Sequence, residues 1–499
     1  MIMARELNFG KVHELVARLL KSVEESGRAG KRVDLVEREL LQKLLEVGLE
    51  VLTEYIASAG DGDEGETLKR EDRKLVRLKD QKQRTYSSIF GKIAFRRCVY
   101  GSREKQKVEW VPLDAKLGMP AAEQSYVLED LLQKLVAQLP YGEAVQRLED
   151  FLGVAIGQRT AEAMASRLSD YSGSFRQSQP RPNAKTEGEI VVMTLDGKGV
   201  PVRRPLEQRL QEECGIARPV WKSRVKHEKS SKRRQRGEPK SRKQMAYVGI
   251  VYSVDPFVRT AAEIVQEIQR KKCGDDRPPP RNKRVWAEMT QIHEGEASDG
   301  QPRLFSALAN EARARTRRQS KPLVCVMDGQ RSFRKLFQRF EQVTPILDIY
   351  HGIERLWNAA HCFHPDCSLE AEQFVDRYLQ MLLEGKVGCV IGAFKRFLKK
   401  LRKGRRKNLE KVITYFANNR NYMRYDKCLE AGYPIGSGVV EGACRHVVKD
   451  RMEQSGMRWE AEGAQAVLNL RAIQINGDWN DFIQHRIHTE QATLYGLAG

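Results

Sequence analysis

The chain has 499 residues, enough for two to four compact units with a substantial core. Lys and Arg number 87 against 66 Asp and Glu, a formal charge of +21 with a pI near 9.5, which favours a polyanionic partner, although a cationic cytosolic protein or a membrane-surface binder would give a similar total. No run approaches the roughly 18 apolar residues of a membrane span, the start MIMARELNFGKVHELVARLL lacks the apolar stretch of a secretory leader, and nine scattered cysteines read as reduced thiols of a cytoplasmic protein.

Residues 1–85 are expected as an N-terminal helical region and linker. Val12, Leu15, Val16, Leu19 and Leu20, then Leu41, Leu44, Leu45, Leu49, Leu52 and Ile56, recur at spacings of three and four, the pattern of two amphipathic helices that pair with each other. The acidic, glycine-rich AGDGDEGE from Ala59 reads as a linker. Residues 86–120 are β-rich and turn-punctuated, a small antiparallel element; a zinc ribbon there would need paired CxxC thiols, and only Cys98 is present. Residues 121–175 carry three helical segments with a short turn, Gly153-Val154-Ala155-Ile156, between the second and third. This is helix-turn-helix spacing: Gly153 suits the left-handed residue ending the second helix, and Val145, Leu148, Leu152, Ile156, Met164 and Leu168 form the expected apolar centre. The third helix would present Gln158 and Arg159 to DNA.

After a polar, proline-containing connector, the β-branched GEIVVMTLDGKG carries Asp196 at the expected end of a strand. MAYVGIVYSVD and Lys283–Met289 supply two more strands, joined as a hairpin meander. A helix over RLFSALANEARAR leads to the strand KPLVCVMDGQ, which ends in Asp328 and runs straight into a helix, and VTPILDIYHGIERLWNAAHCF repeats the pattern. Three meandering strands, helix, strand, helix, strand is the element order of the ribonuclease-H-like fold, in which the first and fourth strands are neighbours. A lone Asp after a strand is usually a turn residue. Two, each followed by Gly at corresponding strand ends, match the carboxylates of a two-metal phosphodiester site, where hard oxygen ligands suit Mg²⁺ or Mn²⁺. The third acid is Glu441, in the first turn of a helix that Ser437 or Gly438 would cap and that packs on the sheet through Ala443, Val447 and Val448.

YPIGSGVVEGACRHVVKDRMEQSGMRW, with TLDGKG, VMDGQ and ILDIYHGIERLWNAAHCFH upstream, resembles transposases of the ISKra4 insertion-sequence family, in the wider Mutator-like and IS256-like DDE group, over about residues 86 to 475. The resemblance implies that Asp196, Asp328 and Glu441 are the catalytic and metal-binding triad, and matches Asp348 and His351 to the group's C/D-x-x-H element as supporting residues. Relatives often carry paired cysteines in the small β element, which this chain lacks. The gap from Asp328 to Glu441, 441 − 328 = 113 residues, requires an insertion in a ribonuclease-H-like core. The expected fold is therefore α/β: a mixed-sheet catalytic core in residues 185–364 and 431–485, an all-helical insertion in residues 365–430, and the helical and helix-turn-helix regions before them.

The insertion holds the most cationic run, FKRFLKKLRKGRRK, beside the expected site, and Arg445, Lys449 and Arg458 join Gln158 and Arg159 as candidate DNA contacts. Trp459 is a candidate for stacking on an extruded base, although an aromatic there more often belongs to a core. The His361-Cys362-Phe363-His364-Pro365-Asp366-Cys367 tract is too tightly spaced for a four-ligand zinc site. The expectation is a bacterial DDE transposase, nucleoid-associated when bound to DNA. It would bind the double-stranded terminal repeats of an insertion sequence, cleave and join strands with Mg²⁺ or Mn²⁺, and work as a homodimer or larger synaptic complex. Two other readings stay open: a ribonuclease-H-fold nuclease that does not join strands, and a domesticated, non-catalytic DNA-binding protein.

Overall fold

The computed structural model describes residues 8–70, 73–102, 107–203, 242–269, 277–293, 296–316, 321–329, 343–454 and 456–496, which fall into two units, residues 1–177 with 478–499 and residues 178–477. The basic loop at 204–241 and the helix expected after Asp328 lie outside the described residues.

In the first unit, α1 (Gly10–Arg28) and α2 (Val33–Ser58) form the expected antiparallel pair, turned at Gly30 with φ +58° and tied by Lys11 to Glu50 at 2.7 Å. Val12 is buried, whereas Val16, Leu20 and Val23 of α1 and Leu41, Leu44, Val51 and Tyr55 of α2 stay exposed. At its C-terminal end α2 buries Ile56 against Ile93 and Met119. The linker expected through residue 85 is partly wrong. Strands β1 (Thr67–Arg70) and β2 (Arg73–Arg77) pair with each other, and β2 with β5 (Tyr100–Gly101); β3 (Lys82–Ser88) and β4 (Gly91–Arg97) form a separate hairpin. TLKREDRKLVR hides its strands because charged residues fill the exposed face, and only Leu75 is buried, beside Cys98 and Tyr100.

Helices Tyr126–Val136, Tyr141–Leu152 and Gln158–Ser169 stand where three helices are expected, with the turn after Gly153 between the last two. Ser125 caps the first by accepting from the Leu128 amide at 3.0 Å. Leu148, Met164 and Leu168 are buried as expected, but Val145, Leu152 and Ile156 are only half-buried, and Val154 fills the turn instead. Gly153 ends the second helix with φ +66°. A Cβ there would meet nothing within 4 Å, so the cost of a side chain is conformational alone. Gly153→Ala should therefore lower stability by about 1 kcal/mol in urea unfolding; an unchanged midpoint would show that the turn tolerates a different backbone.

The C-terminal helix Trp479–Tyr495 belongs to this unit, so residues 478–485 do not extend the second unit as the sequence suggested. It packs on helix Tyr126–Val136 through polar contacts that sequence spacing does not reveal. Arg486 pairs with Glu129 at 2.9 Å, Tyr126 donates to Glu490 at 2.6 Å, and Trp479 donates to Asp130 at 2.6 Å.

The second unit is mixed α/β around a five-stranded sheet of order β12-β11-β6-β7-β8. Here β6 is Ile190–Val202, β7 Arg242–Val254, β8 Arg281–Met289, β11 Leu323–Met327 and β12 Val343–Leu347, with two short strands, β9 (Gln291–His293) and β10 (Glu296–Ser298), outside this sheet. The first three run antiparallel in a meander, and β11 and β12 run parallel to β6. The first and fourth core strands are thus neighbours, as expected. All five residues of β11 are buried, which is why LVCVM is an uninterrupted apolar run. Helix Gly300–Thr316 covers one face, laying Leu304, Phe305 and Leu308 against Met193, Leu195 and Cys325. The connection from β7 to β8 is not a simple hairpin, since it contains helix Ala261–Ile268, started by a Thr260–Glu263 capping box.

Helix Ala461–Asn476 guards the sheet edge. Its Gln465 side chain accepts from the Met289 amide at 2.6 Å and donates to the Ala287 carbonyl at 3.0 Å, satisfying main-chain groups of β8 that have no strand partner on that side. The segment expected as a helical insertion is helical: Leu369–Leu383, Val387–Phe397, Lys403–Asn419 and Tyr425–Glu430, around a core that includes Phe374, Tyr378, Phe394 and Phe416.

Candidate active site

Strand register aligns the candidate acids. On β6 and β11 Thr194 lies opposite Val326, and on β11 and β12 Met327 lies opposite Leu347. Continuing both registers sets Asp196, Asp328 and Asp348 at one level across three adjacent parallel strands. Asp196 is not at the end of its strand, because β6 runs on to Val202 beside β7. It sits instead where the shorter parallel neighbour β11 stops, which frees that side of β6 at the level of the acid. Asp196 Oδ1 accepts from the Gly197 amide at 2.6 Å.

Asp328 is half-buried, and its main-chain carbonyl accepts from the Tyr415 hydroxyl at 3.0 Å. The Arg355 guanidinium lies 4.7 Å over the Tyr415 ring. Gly329 has φ +77°, and a Cβ there would come within 2.6 Å of Leu347 and 2.8 Å of the Tyr415 hydroxyl. The Asp-Gly pair at this strand end is therefore a packing requirement, since only glycine lets the chain turn this close to Leu347 and Tyr415.

Asp348 is fully buried and begins helix Ile349–Ala360 by accepting from the Tyr350 amide at 3.0 Å. It also accepts from the Ser437 amide at 3.4 Å and from the Ser437 hydroxyl. Ser437 stands at the cap position of helix Gly438–Ala443, as expected, but makes no side-chain cap there. It spends its proton on Asp348, 89 residues earlier in the chain. The loop that starts the Glu441 helix is thereby latched to the strand end that carries Asp348. Burial raises the Asp348 carboxyl above its usual range, against the Ser437 and Tyr350 bonds, which lower it.

Glu441 lies in the first turn, exposed, with Oε1 3.5 Å from Ser437 Oγ. Desolvation holds its carboxyl above the ordinary glutamate range, reinforced by the charges of Asp348 and Asp196 and opposed by His351. His351 Nε2 is 4.0 Å from Asp348 Oδ2, and its Nδ1 is 3.4 Å from Glu354. Beyond Ala443 the helix widens into a π-helical turn over Cys444–Lys449, with Val447 and Val448 buried as expected. Cys444 is buried there with its thiol bonded to Asp196, and burial followed by the Asp196 charge pushes the thiol up.

Asp196, Asp348 and Glu441 thus share one electrostatic neighbourhood, and the strand register brings Asp328 level with it. Among the described residues, however, no three His, Cys, Asp or Glu side chains converge into a group able to hold a metal ion. The donor chemistry fits a hard cation, being carboxylate throughout. Ser437, Tyr415 and Cys444 are site residues that sequence reasoning missed. Only the Ser437 position carried a signal, and it was read as a local cap.

Arg445, Lys449 and Arg458 are exposed in the second unit, and Gln158 and Arg159 are exposed at the start of the third helix of the helix-turn-helix in the first. Trp459 is buried, with Arg451 4.8 Å over its ring and its indole donating to the Met452 carbonyl at 3.2 Å, so it is a core residue and not a base-stacking one. Cys98 is buried, and His361 is bonded to Asp366 at 2.8 Å. No family model matches this chain, and no curated protein matches it either.

Proposed function

We propose that the chain is a DDE transposase with a ribonuclease-H-like core. The observation that carries this reading is the register that sets Asp196, Asp328 and Asp348 level on adjacent parallel strands, with the Glu441 helix latched beside them by Ser437. Asp196, Asp328 and Glu441 would hold Mg²⁺ or Mn²⁺, whose chemistry is to polarise a phosphodiester and lower the pKa of the attacking hydroxyl or water. Asp348 has its oxygens occupied by the chain itself, so its part is to fix the loop from which Glu441 projects. His351, within 4.0 Å of Asp348, offsets negative charge at the site.

Binding is assigned to other side chains. Gln158 and Arg159 start the third helix of the helix-turn-helix, and in the second unit Lys399, Lys400, Arg402, Lys403, Arg405 and Lys407 form an exposed cationic run. Arg445, Lys449 and Arg458 complete the proposed phosphate contacts. Two DNA ends call for at least two copies of the chain.

The test is to incubate the purified protein with Mg²⁺ and labelled duplex carrying the inverted repeats that flank its gene. Nicked and joined products with defined ends are expected; cleavage without joining would convert the reading to a nuclease, and binding without either product would convert it to a non-catalytic DNA-binding protein. Arg159→Ala should weaken repeat binding by about tenfold, and log affinity should fall linearly and steeply with log salt as counterions are released. Unchanged affinity of Arg159→Ala in a filter-binding titration would remove the helix-turn-helix from recognition.

A further inference from the structure

We propose that α1 and α2 of the first unit carry an interface between two copies of this chain, which stack face to face as a four-helix bundle and do so without DNA; the inference stands apart from the transposase reading. Little within one chain holds α1 in place. Of its 19 residues only Val12 and Ser26 are buried. A helix of that length draws most of its stability from packing an apolar face, and the seam with α2 supplies only part of one. Each helix carries a second apolar row beside that seam. Along α1 it runs through Val16, Leu20 and Val23, and along α2 through Leu41, Leu44, Val51 and Tyr55, all exposed. Gly48 stands in the α2 row between Leu44 and Val51; a Cβ there would meet the Phe90 ring at 2.7 Å, so the half-buried Phe90 fills that place. With Gly48 counted, the intervals alternate between three and four, the spacing at which neighbouring helices interlock their side chains.

The two rows form one face. At about 100° per residue, Val16 and Leu20 stand roughly a quarter turn beyond the half-buried Leu15 and Leu19, and Leu41 and Val51 roughly a quarter turn beyond Leu40 and Glu50, the last of which bonds to Lys11 across the seam. Because the helices are antiparallel, a turn in the same sense carries both rows to the same side of the pair. Charge and area identify a second copy as the cover. Residues 10–58 hold eight Lys and Arg against nine Asp and Glu, 8 − 9 = −1, in a chain whose total is +21. The hairpin thus lacks the cationic excess that DNA or an anionic membrane requires, and its near-zero charge lets like copies approach. No charged residue stands at the row positions between Val16 and Val23 or between Leu41 and Tyr55, so across a two-fold axis neither row sets a charge against its own copy. A face about 28 Å long and about 20 Å wide covers on the order of 600 Å² per copy, and twice that clears the roughly 1,000 Å² of a specific interface. An antiparallel hairpin laid on its own copy also keeps every neighbouring pair antiparallel, the arrangement of an up-and-down bundle.

The test is the mass of the full chain in solution, by light scattering on a sizing column, in chelator and high salt and without DNA. The wild type should run at twice its 57.1 kDa. Leu20 and Leu44 are 58% and 51% exposed, so one chain does not need them to fold. Leu20→Glu combined with Leu44→Glu should weaken the dimer on the order of a thousandfold or more, since four apolar side chains leave each interface and like charges replace them. That variant should run as one chain with unchanged circular dichroism. If it fails to fold, Val16→Glu combined with Val51→Glu repeats the test on the same face. Arg18→Glu, on the far side of α1, should stay at the mass of two chains. A wild type at the mass of one chain would overturn the proposal and leave the face to a different protein. A dimer that survives the substitutions, or one that Arg18→Glu also dissociates, would overturn it as well. None of these measurements involves DNA, so cleavage of the repeats stands or fails separately.

Discussion

Asp196→Asn, Asp328→Asn and Glu441→Gln should each slow DNA cleavage and joining by more than about two orders of magnitude, the loss typical of removing an electrostatic catalytic group, while repeat binding stays within about twofold of wild type. The separation follows from which side chains do each job. The three acids lie at the sheet level of β6 and β11 and on the Glu441 helix, whereas the proposed DNA contacts are other exposed side chains, of which Arg445 and Lys449 follow Glu441 along the same helical run. A second readout needs no turnover. The Glu441 carboxyl is raised above its unfolded value, so the folded state takes up a proton more readily than the unfolded chain. Its desolvation, together with repulsion from Asp348 and Asp196, opposes stability above the raised pKa, and this cost disappears as pH falls through it. At neutral pH in chelator, Glu441→Gln should then melt no lower than wild type. On adding Mg²⁺ the wild type should gain in melting temperature by mass action and the variant should gain less. Asp348→Asn and His351→Ala should slow cleavage less than the triad changes. Full cleavage by a folded Asp196→Asn or Asp328→Asn protein would end the two-metal assignment, and full cleavage by Glu441→Gln would move the third ligand elsewhere.

Asp348→Ala should destabilise the second unit by about 3 kcal/mol or more, because it strands three donors, the Tyr350 amide, the Ser437 amide and the Ser437 hydroxyl, at roughly 1 kcal/mol or more each. The burial penalty on the carboxylate itself is relieved by the same change, which keeps the estimate at the low end. Asp348→Asn retains one acceptor oxygen for the helix cap and should cost about 1 kcal/mol. Urea unfolding of both variants reads the difference. An Asp348→Ala protein within about 1 kcal/mol of wild type would mean that the latch to Ser437 adds nothing to the fold. Because the latch positions the loop before Glu441, Ser437→Ala should reproduce part of the loss and slow cleavage without changing the number of carboxylates.

Several features are local and were legible in the chain itself. The paired helices at residues 10–58 follow from apolar spacing, the turn between two helices from Gly153 between two amphipathic segments, and β11 from an apolar run bounded by Pro322 and Gly329. The neighbouring of β6 and β11 was legible as well, since the order of elements leaves few ways to build the sheet. The strands over Thr67–Arg77 were not, because Leu75 and the partly buried Leu68 facing a small core are too weak a pattern against so many charges. Nor was the helix between β7 and β8, whose capping box lies in a stretch that also reads as a connection.

What only the tertiary structure decided is which distant groups meet. Ser437 has the composition and place of a helix cap, and short-range reasoning assigns its hydroxyl to its own helix; a buried carboxylate 89 residues away is the stronger acceptor and takes it. Trp459 reads in sequence either as a core aromatic or as a base-stacking one, and the bridge from Val202 at the end of β6 places it in the core. Glu129 and Arg486 carry no mutual signal in sequence, yet they pair as buried charges in the first unit, where Arg486 also meets Glu490. The composition and periodicity of the sequence determined the helices, the buried strands and the positive charge, since these depend on neighbours within a few residues. The alignment of Asp196, Asp328 and Asp348, and the latch that sets Glu441 beside them, came from strand register and burial, which arise only when segments far apart in the chain share one core.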